Sequence, residues 1–158
     1  MKFGAINGNV TTEGYKDWIE LQSFQWAVNR HMTSGGRGDM RESSAPSVSE
    51  IVVTKYNDIS STALLNETFG SRSDAKVTIK LSTTSKNKTE TYLTYELAEC
   101  AISSISQSAQ GGEHHDAPLE SLSLNFVKIA IIPTPLDKSG QIKKGMVVEY
   151  NLLKMATS

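Results

Sequence analysis

Apolar and polar residues alternate along most of the chain, which is the pattern of half-buried β-strands. The strands predicted in this way cover residues 17–28, 47–56, 76–81, 90–101 with an extension towards 108, 119–132 and 146–153. Pro133 and Pro135 are expected to end the fifth strand, because proline has no N–H group to donate to a sheet. Strands that follow one another without alternating helices favour an antiparallel barrel or a sandwich.

The first predicted strand changes phase in its middle. Its apolar residues fall on two parities, Ile19 and Leu21 on one and Phe24, Trp26 and Val28 on the other. A β-bulge near Gln22 and Ser23 would bring both sets to one side of the sheet. The alternative is a strand that is buried on both faces.

Two other segments break the strand pattern. Residues 62–69 predict a short helix, with Ser60 or Ser61 as its cap and Gly70 as its end. The apolar stripe of this helix would consist of Ala63, Leu64, Leu65 and Phe69. Residues 29–46 are polar and rich in glycine, and they are too long for an ordinary connection, so we expect a loop that becomes ordered against a partner.

Composition narrows the possible classes of function. The 158 residues carry a net charge of −1, which argues against a nucleic-acid or anionic-membrane surface. No run of apolar residues approaches the length of a membrane-spanning helix. The start of the chain turns polar before a signal-peptide core forms, so export would not use a standard cleaved leader.

Few residues suggest chemistry. Glu113, His114, His115 and Asp116 are adjacent ligand types, but neighbours on a loop diverge, so a solvated turn is preferred over a metal or acid–base site. The single cysteine, Cys100, is interpreted as a packing residue, since no basic neighbour would lower its pKa. The aromatic residues near the amino terminus are expected to pack in the core rather than to stack on bases. We expect no catalytic residue, no metal ion and no cofactor.

Three segments resemble the Hcp family, the tube proteins of bacterial type VI secretion. The first comprises residues 8–26, with the sequence GNVTTEGYKDWIELQSFQW, and the second comprises residues 47–55, SVSEIVVTK. The third joins residues 101–104 and the glycines 111–112 to the block 118–129, PLESLSLNFVKI, which is the most specific of the three. The chain departs from the family in a short amino-terminal strand and in the apolar segment before Pro133.

This resemblance implies a mainly β fold: an antiparallel β-barrel of two sheets with one short flanking α-helix, formed as a single domain by residues 1–158. It further implies a structural, secreted protein whose hexameric rings stack into an inner tube. In the family a contracting sheath expels the tube beneath a spike, and small effector proteins travel in its lumen. The protein would be secreted without a cleaved signal peptide and would have a cytoplasmic pool before assembly.

The resemblance also assigns roles to individual residues. Loop 29–46 corresponds to a loop that contacts neighbouring subunits and the next ring, and within it we expect the contacts from Met32, Arg37, Asp39, Arg41 and Glu42. The expected core residues of the family motifs are Trp18, Phe24, Trp26, Leu122, Leu124 and Phe126. The alternatives are another contractile-tail tube protein, an enzyme that uses the adjacent histidines, and a monomeric barrel that binds carbohydrate or peptide.

Overall fold

The computed structural model describes residues 1–32, 44–70, 74–85, 88–111, 117–135 and 145–157. In these parts of the chain the strands are β1 (Lys2–Phe3), β2 (Ser23–Gln25), β3 (Val28–Asn29), β4 (Ser47–Val48), β5 (Ile51–Tyr56), β6 (Ala75–Ser85), β7 (Lys88–Ser108), β8 (Leu119–Pro133), β9 (Val148–Asn151) and β10 (Ala156–Thr157). Helix α1 (Ser61–Phe69) lies between β5 and β6. Within the described residues, no helix has the length and apolar character needed to cross a membrane.

The strands pair throughout in antiparallel fashion. The main sheet has the order β1-β6-β7-β8-β5-β2, with β9 added to β8 and β10 added to β9, while β3 and β4 form a separate pair. This confirms the predicted mainly β, antiparallel fold with a flanking helix. The described strands do not close a complete barrel, since none of their pairings joins β1 to β2. Near these two ends of the sheet, Met1 and Ile19 exchange backbone hydrogen bonds of 2.6 and 2.7 Å.

The core lies on the inner face of the three long strands. The alternation predicted along them is observed, because Val77, Ile79, Leu97, Ile102, Leu122, Leu124, Phe126 and Ile129 are all buried. The strands are longer than the pattern indicated. Strand β6 continues to Ser85 and β7 begins at Lys88, beyond the predicted ends at 81 and 90. Strand β9, in contrast, covers only four residues of the strand predicted at 146–153.

The first predicted strand is interrupted rather than continuous. Only β2 and β3 form within residues 17–28, and the irregularity falls where the phase change predicted a bulge. The Gln22 N–H donates to the Thr54 carbonyl oxygen at 2.7 Å, while Ser23 is also paired with Thr54. Gln22 and Ser23 therefore both lie opposite Thr54, as in a β-bulge. The apolar residues before and after this bulge pack on the same core. Val28 is the exception, with 53% of its surface exposed.

Helix α1 begins one residue earlier than predicted and ends at Gly70, whose N–H donates to the Asn66 carbonyl oxygen at 2.9 Å. Leu64 is buried and packs into the core, whereas Phe69 is 81% exposed, so its predicted place in the apolar stripe was wrong. The reason is geometric: five residues at 3.6 per turn place Phe69 about 140° around the helix from Leu64.

Candidate functional site

The first family-like segment forms a strap over the outer side of β6 and β7, which we define as residues 8–19. Backbone hydrogen bonds hold its two arms together: Gly8 N–H to the Asp17 carbonyl oxygen at 3.0 Å, and Val10 N–H to the Trp18 carbonyl oxygen at 3.0 Å. Gly8 is required by close approach, because a Cβ atom there would lie 2.4 Å from the Trp18 oxygen. Gly14 has a φ angle of +82°, which glycine adopts without steric cost.

Two aromatic residues and a lysine fix the strap to the sheet. The rings of Tyr15 and Trp18 meet edge to face with their centroids 5.6 Å apart. The Lys80 ammonium lies 5.0 Å from the Trp18 centroid and 5.6 Å from that of Tyr15, within the range of a cation–π interaction. The Tyr15 hydroxyl also hydrogen-bonds to the Thr91 hydroxyl. Trp18 thus lies outside the buried core cluster in which it was expected.

A buried polar cluster joins the second and third family-like segments. We call it the Glu120 cluster, and it consists of Lys55, Asn57, Asp58, Ser61, Gln107 and Glu120. Lys55 and Glu120 are direct cross-strand partners in β5 and β8, and their side chains are 0% and 2% exposed. The three N–H groups of the ammonium have three acceptors, at 2.7 Å on Glu120, 2.9 Å on Asp58 and 3.0 Å on Ser61.

Each carboxylate oxygen of Glu120 accepts two hydrogen bonds. Oε2 accepts from Lys55 and from the Ser61 hydroxyl at 2.8 Å. Oε1 accepts from Asn57 at 2.9 Å and from Gln107 at 2.8 Å. The cluster leaves neither the ammonium nor this carboxylate with an unused polar position. Such an arrangement is typical of structural ion pairs, whereas a catalytic group must keep an atom available to substrate.

The cluster favours the ionised form of its carboxyl groups. Burial alone would raise the pKa of Glu120, but hydrogen bonds from Lys55, Asn57, Gln107 and Ser61 outweigh burial and hold the pKa below its ordinary value. The pKa of Asp58 is lowered in the same way. Burial alone would raise it, but hydrogen bonds from Ser60 and Lys55 outweigh burial.

The Glu120 cluster was not identified from the sequence, although a signal was present. In β5, Lys55 has the same parity as Ile51 and Val53, which face the core. Glu120 has the same parity as Leu122 in β8. A lysine and a glutamate that both fall on core-facing positions indicate a buried ion pair, because either charge alone would be costly to bury.

A second contact between the same two segments lies near the opposite end of β5. The Glu50 carboxylate accepts from the Asn125 side-chain amide at 3.0 Å and from the Ser103 hydroxyl at 2.8 Å. The family-like residues of the third segment therefore hold the second segment at two positions, through Glu120 and through Asn125.

The other expected motif residues lie in or against the core. Leu122, Leu124 and Phe126 are buried. Phe24 and Trp26 are partly buried against the ring of Tyr95, with centroid distances of 4.7 and 6.0 Å. The indole N–H of Trp26 is buried without a hydrogen-bond partner in the described part of the chain.

Of the loop residues expected to contact other subunits, the structure describes only Met32, which is 56% exposed. Arg37, Asp39, Arg41 and Glu42 lie outside the described residues, and so does the segment Glu113 to Asp116. Across the described ranges, no group of three or more potential metal-binding side chains occurs. Cys100 is buried, and burial raises the pKa of its thiol to about 12, which leaves it protonated and unreactive at neutral pH.

Many large apolar side chains remain on the surface. The most exposed in the described residues are Ile59, Phe69, Met146, Leu153 and Met155, each above 60%. Exposed apolar side chains of this kind are available for contact with another chain. The fold and its side-chain arrangement thus define a class: an antiparallel β protein with a fully hydrogen-bonded buried ion pair and with apolar residues exposed at its surface.

Comparison with known proteins identifies the family. The model of a family described as "Type VI secretion system effector, Hcp" matches residues 1–131, so the chain belongs to the Hcp family. A search of curated protein sequences found no match.

Solved structures agree on the fold. One described as a type six secretion system protein is 21% identical, covers 99% of this chain and 96% of its own, and superposes with a TM-score of 0.91. Hcp1 from Salmonella typhimurium is 17% identical, with the same coverage and a TM-score of 0.73. A type VI secretion system effector from Yersinia pestis is 18% identical over 95% of this chain and 96% of its own, with a TM-score of 0.70.

Proposed function

We propose that this protein is a structural component of the type VI secretion tube and not an enzyme. Six copies form a ring, rings stack into the inner tube, and contraction of a sheath expels that tube together with its spike. Small effector proteins travel in the lumen. The observation that carries the proposal is the match of the Hcp family model to residues 1–131.

The described surface supports assembly. Ile59 and Phe69 near helix α1, and Met146, Leu153 and Met155 near β9 and β10, are apolar side chains that a neighbouring subunit would cover. A ring of identical subunits buries such residues without creating an open-ended aggregate. The polar interior supports a structural role, because the Glu120 carboxylate and the Lys55 ammonium are fully occupied by partners within the chain.

We also propose a domain organisation, a set of loop contacts between subunits and a route of export for this chain. Residues 1–158 act as one domain, and loop 29–46 contacts neighbouring subunits and the next ring. Met32 supplies an apolar contact there, while Arg37, Asp39, Arg41 and Glu42 set the register between rings. Export proceeds from a cytoplasmic pool of unassembled protein.

Light scattering after size exclusion tests the ring. We expect a mass of about six times the 17.2 kDa of one chain, and ring-shaped particles in negative stain. A monomer at every concentration would contradict the proposal.

Charge reversal tests the role of the loop. The double variant Arg37→Glu, Arg41→Glu should lose stacked rings and keep the wild-type thermal melt. The matched control, Lys16→Glu with Lys76→Glu, reverses two exposed lysines elsewhere and should stack normally. Equal stacking of both variants would remove the loop from the proposal.

A further inference from the structure

The main sheet has an unfilled gap between its two ends, which we call the seam. On one side lies β6, whose outer edge is paired with β1 only at Val77 and Thr78. On the other side lies β2, which is paired only with β5. From Lys80 onwards, no described strand pairs with the outer edge of β6, although its inner edge is paired with β7 along its whole length.

Strand geometry determines which groups of β6 face the seam. The Lys76 carbonyl oxygen accepts the Gly4 N–H at 2.9 Å, so Lys76 directs its backbone groups towards β1. The register shift between Leu81 and Ser82 places its extra residue, Tyr92, in β7, so backbone groups continue to alternate between the two edges of β6. Lys80, Ser82 and Thr84 therefore direct their N–H and C=O groups towards the seam. Within the described residues these groups have no backbone partner, and an unpaired edge is a template for another strand.

The seam contains a cavity of about 720 Å³. One wall is formed by Lys80, Leu81, Ser82 and Thr84 of β6, and the facing wall by residues 18–24. Residues 9–12 and Tyr15 of the strap also line the cavity. Apolar side chains lie towards the core, where Ile19 is fully buried and Leu81 packs partly buried. The Lys80 ammonium, held over the Tyr15 and Trp18 rings, lies on the other face of β6.

Lys80 is the charged residue in the wall that β6 forms. Among the described residues it forms cation–π contacts but no ion pair with a carboxylate. Glu20 lines the opposite wall with an exposed side chain. A ligand that pairs with β6 would therefore gain most from a carboxylate on the residue beside Lys80 and an apolar side chain on the residue beside Leu81.

We propose that the seam binds an extended segment of another polypeptide, which adds as an antiparallel or parallel strand to the free edge of β6. The segment has apolar residues on the side that faces Leu81 and a carboxylate on the side that faces Lys80. Main-chain hydrogen bonds to Lys80, Ser82 and Thr84 supply the affinity, and the alternating side chains supply the specificity. This inference goes beyond the proposed tube function and does not depend on it.

A synthetic peptide of alternating valine and glutamate, blocked at both ends, is the probe. We expect saturable binding to the purified wild-type protein by isothermal titration calorimetry. The same peptide N-methylated at every residue cannot donate to β6 in either orientation and should bind at least about tenfold more weakly, since several main-chain hydrogen bonds are lost. Equal affinity of the two peptides, or no binding up to about 1 mM, would overturn the proposal.

Variants of β6 give an independent readout. Ser82→Pro removes an N–H that faces the seam and leaves the bonds to β7 in place, so binding should weaken about two- to tenfold while the thermal melt is kept. Ser82→Val retains the N–H and should bind as the wild type does. Lys80→Gln should weaken the glutamate peptide about two- to fivefold and leave a glutamine version of the peptide unchanged. An affinity that Ser82→Pro leaves unchanged in a folded protein contradicts strand addition.

A second copy of this chain is the competing occupant. Light scattering with and without the peptide separates the two cases. An unchanged mass on saturation agrees with a seam that is free for another polypeptide. A fall in mass would show that the peptide displaces a neighbouring copy, and the proposal would then be wrong.

Discussion

The Glu120 cluster and the seam lie in the same sheet, but they differ in whether their polar groups are hydrogen-bonded within the chain. In the cluster, both ions are withdrawn from water and every polar position of Lys55 and Glu120 has a partner within the chain. At the seam, the backbone N–H and C=O groups of Lys80, Ser82 and Thr84 have no such partner among the described strands. Polar groups that are hydrogen-bonded within the chain stabilise one structure, whereas unpaired backbone groups at a surface can bind other molecules.

Removing the central carboxylate should give the largest effect. Glu120→Leu leaves the Lys55 ammonium buried with a lost partner, and we expect a loss of about 3–5 kcal/mol in the free energy of unfolding, measured with urea. The control is Glu99→Gln, which removes an exposed ion pair with Lys128 and should cost about 0–1 kcal/mol. Similar losses for the two variants would show that burial does not distinguish the two ion pairs.

Acid should weaken the same cluster by protonation instead of mutation. The pKa values of Glu120 and Asp58 are lowered in the folded state, so the unfolded chain binds more protons at acidic pH. Their contribution is complete above the ordinary values of 4.5 and 3.8 and is lost as the pH falls below them. Urea unfolding between pH 7 and pH 3 should show this loss, and Glu120→Gln should flatten it. An unchanged slope in that variant would mean that other groups cause the acid effect.

A smaller effect is expected beside the seam. Gly8→Ala places a Cβ atom 2.4 Å from the Trp18 carbonyl oxygen, and the strap must shift to accommodate it. We expect a loss of about 1–3 kcal/mol in the free energy of unfolding. Gly111→Ala is the matched control, because a Cβ there meets no atom within 4 Å and the backbone needs no positive φ. Stability equal to that of the control would indicate that the strap moves without cost.

The sequence predicted what depends on local periodicity. The alternation of Val77, Ile79 and Leu81, and of Leu122, Leu124 and Phe126, is sufficient to place β6 and β8, because a strand with one buried face must repeat every two residues. The phase change after Leu21 likewise located the irregularity opposite Thr54.

Features that depend on pairing between distant strands were not predictable in this way. The ion pair of Lys55 with Glu120 forms because β5 lies beside β8 in the sheet. The seam exists because β1 pairs with β6 only at Val77 and Thr78, whereas β6 itself continues beyond them. Trp18 was expected in the core because its residue type favours burial, yet its neighbours are Tyr15 and Lys80 on the outer side of the sheet. Phe69 is exposed because its angular position on the helix, and not its hydrophobic character, determines which side it faces.

The burial of Cys100 has a practical consequence. Its thiol is the chain's only one and, with a pKa of about 12, it stays protonated under the conditions used for maleimide chemistry. A cysteine introduced at an exposed position such as Leu153 would therefore be the single site that takes up a fluorophore or spin label. The natural chain is already a suitable background for distance measurements between labelled copies.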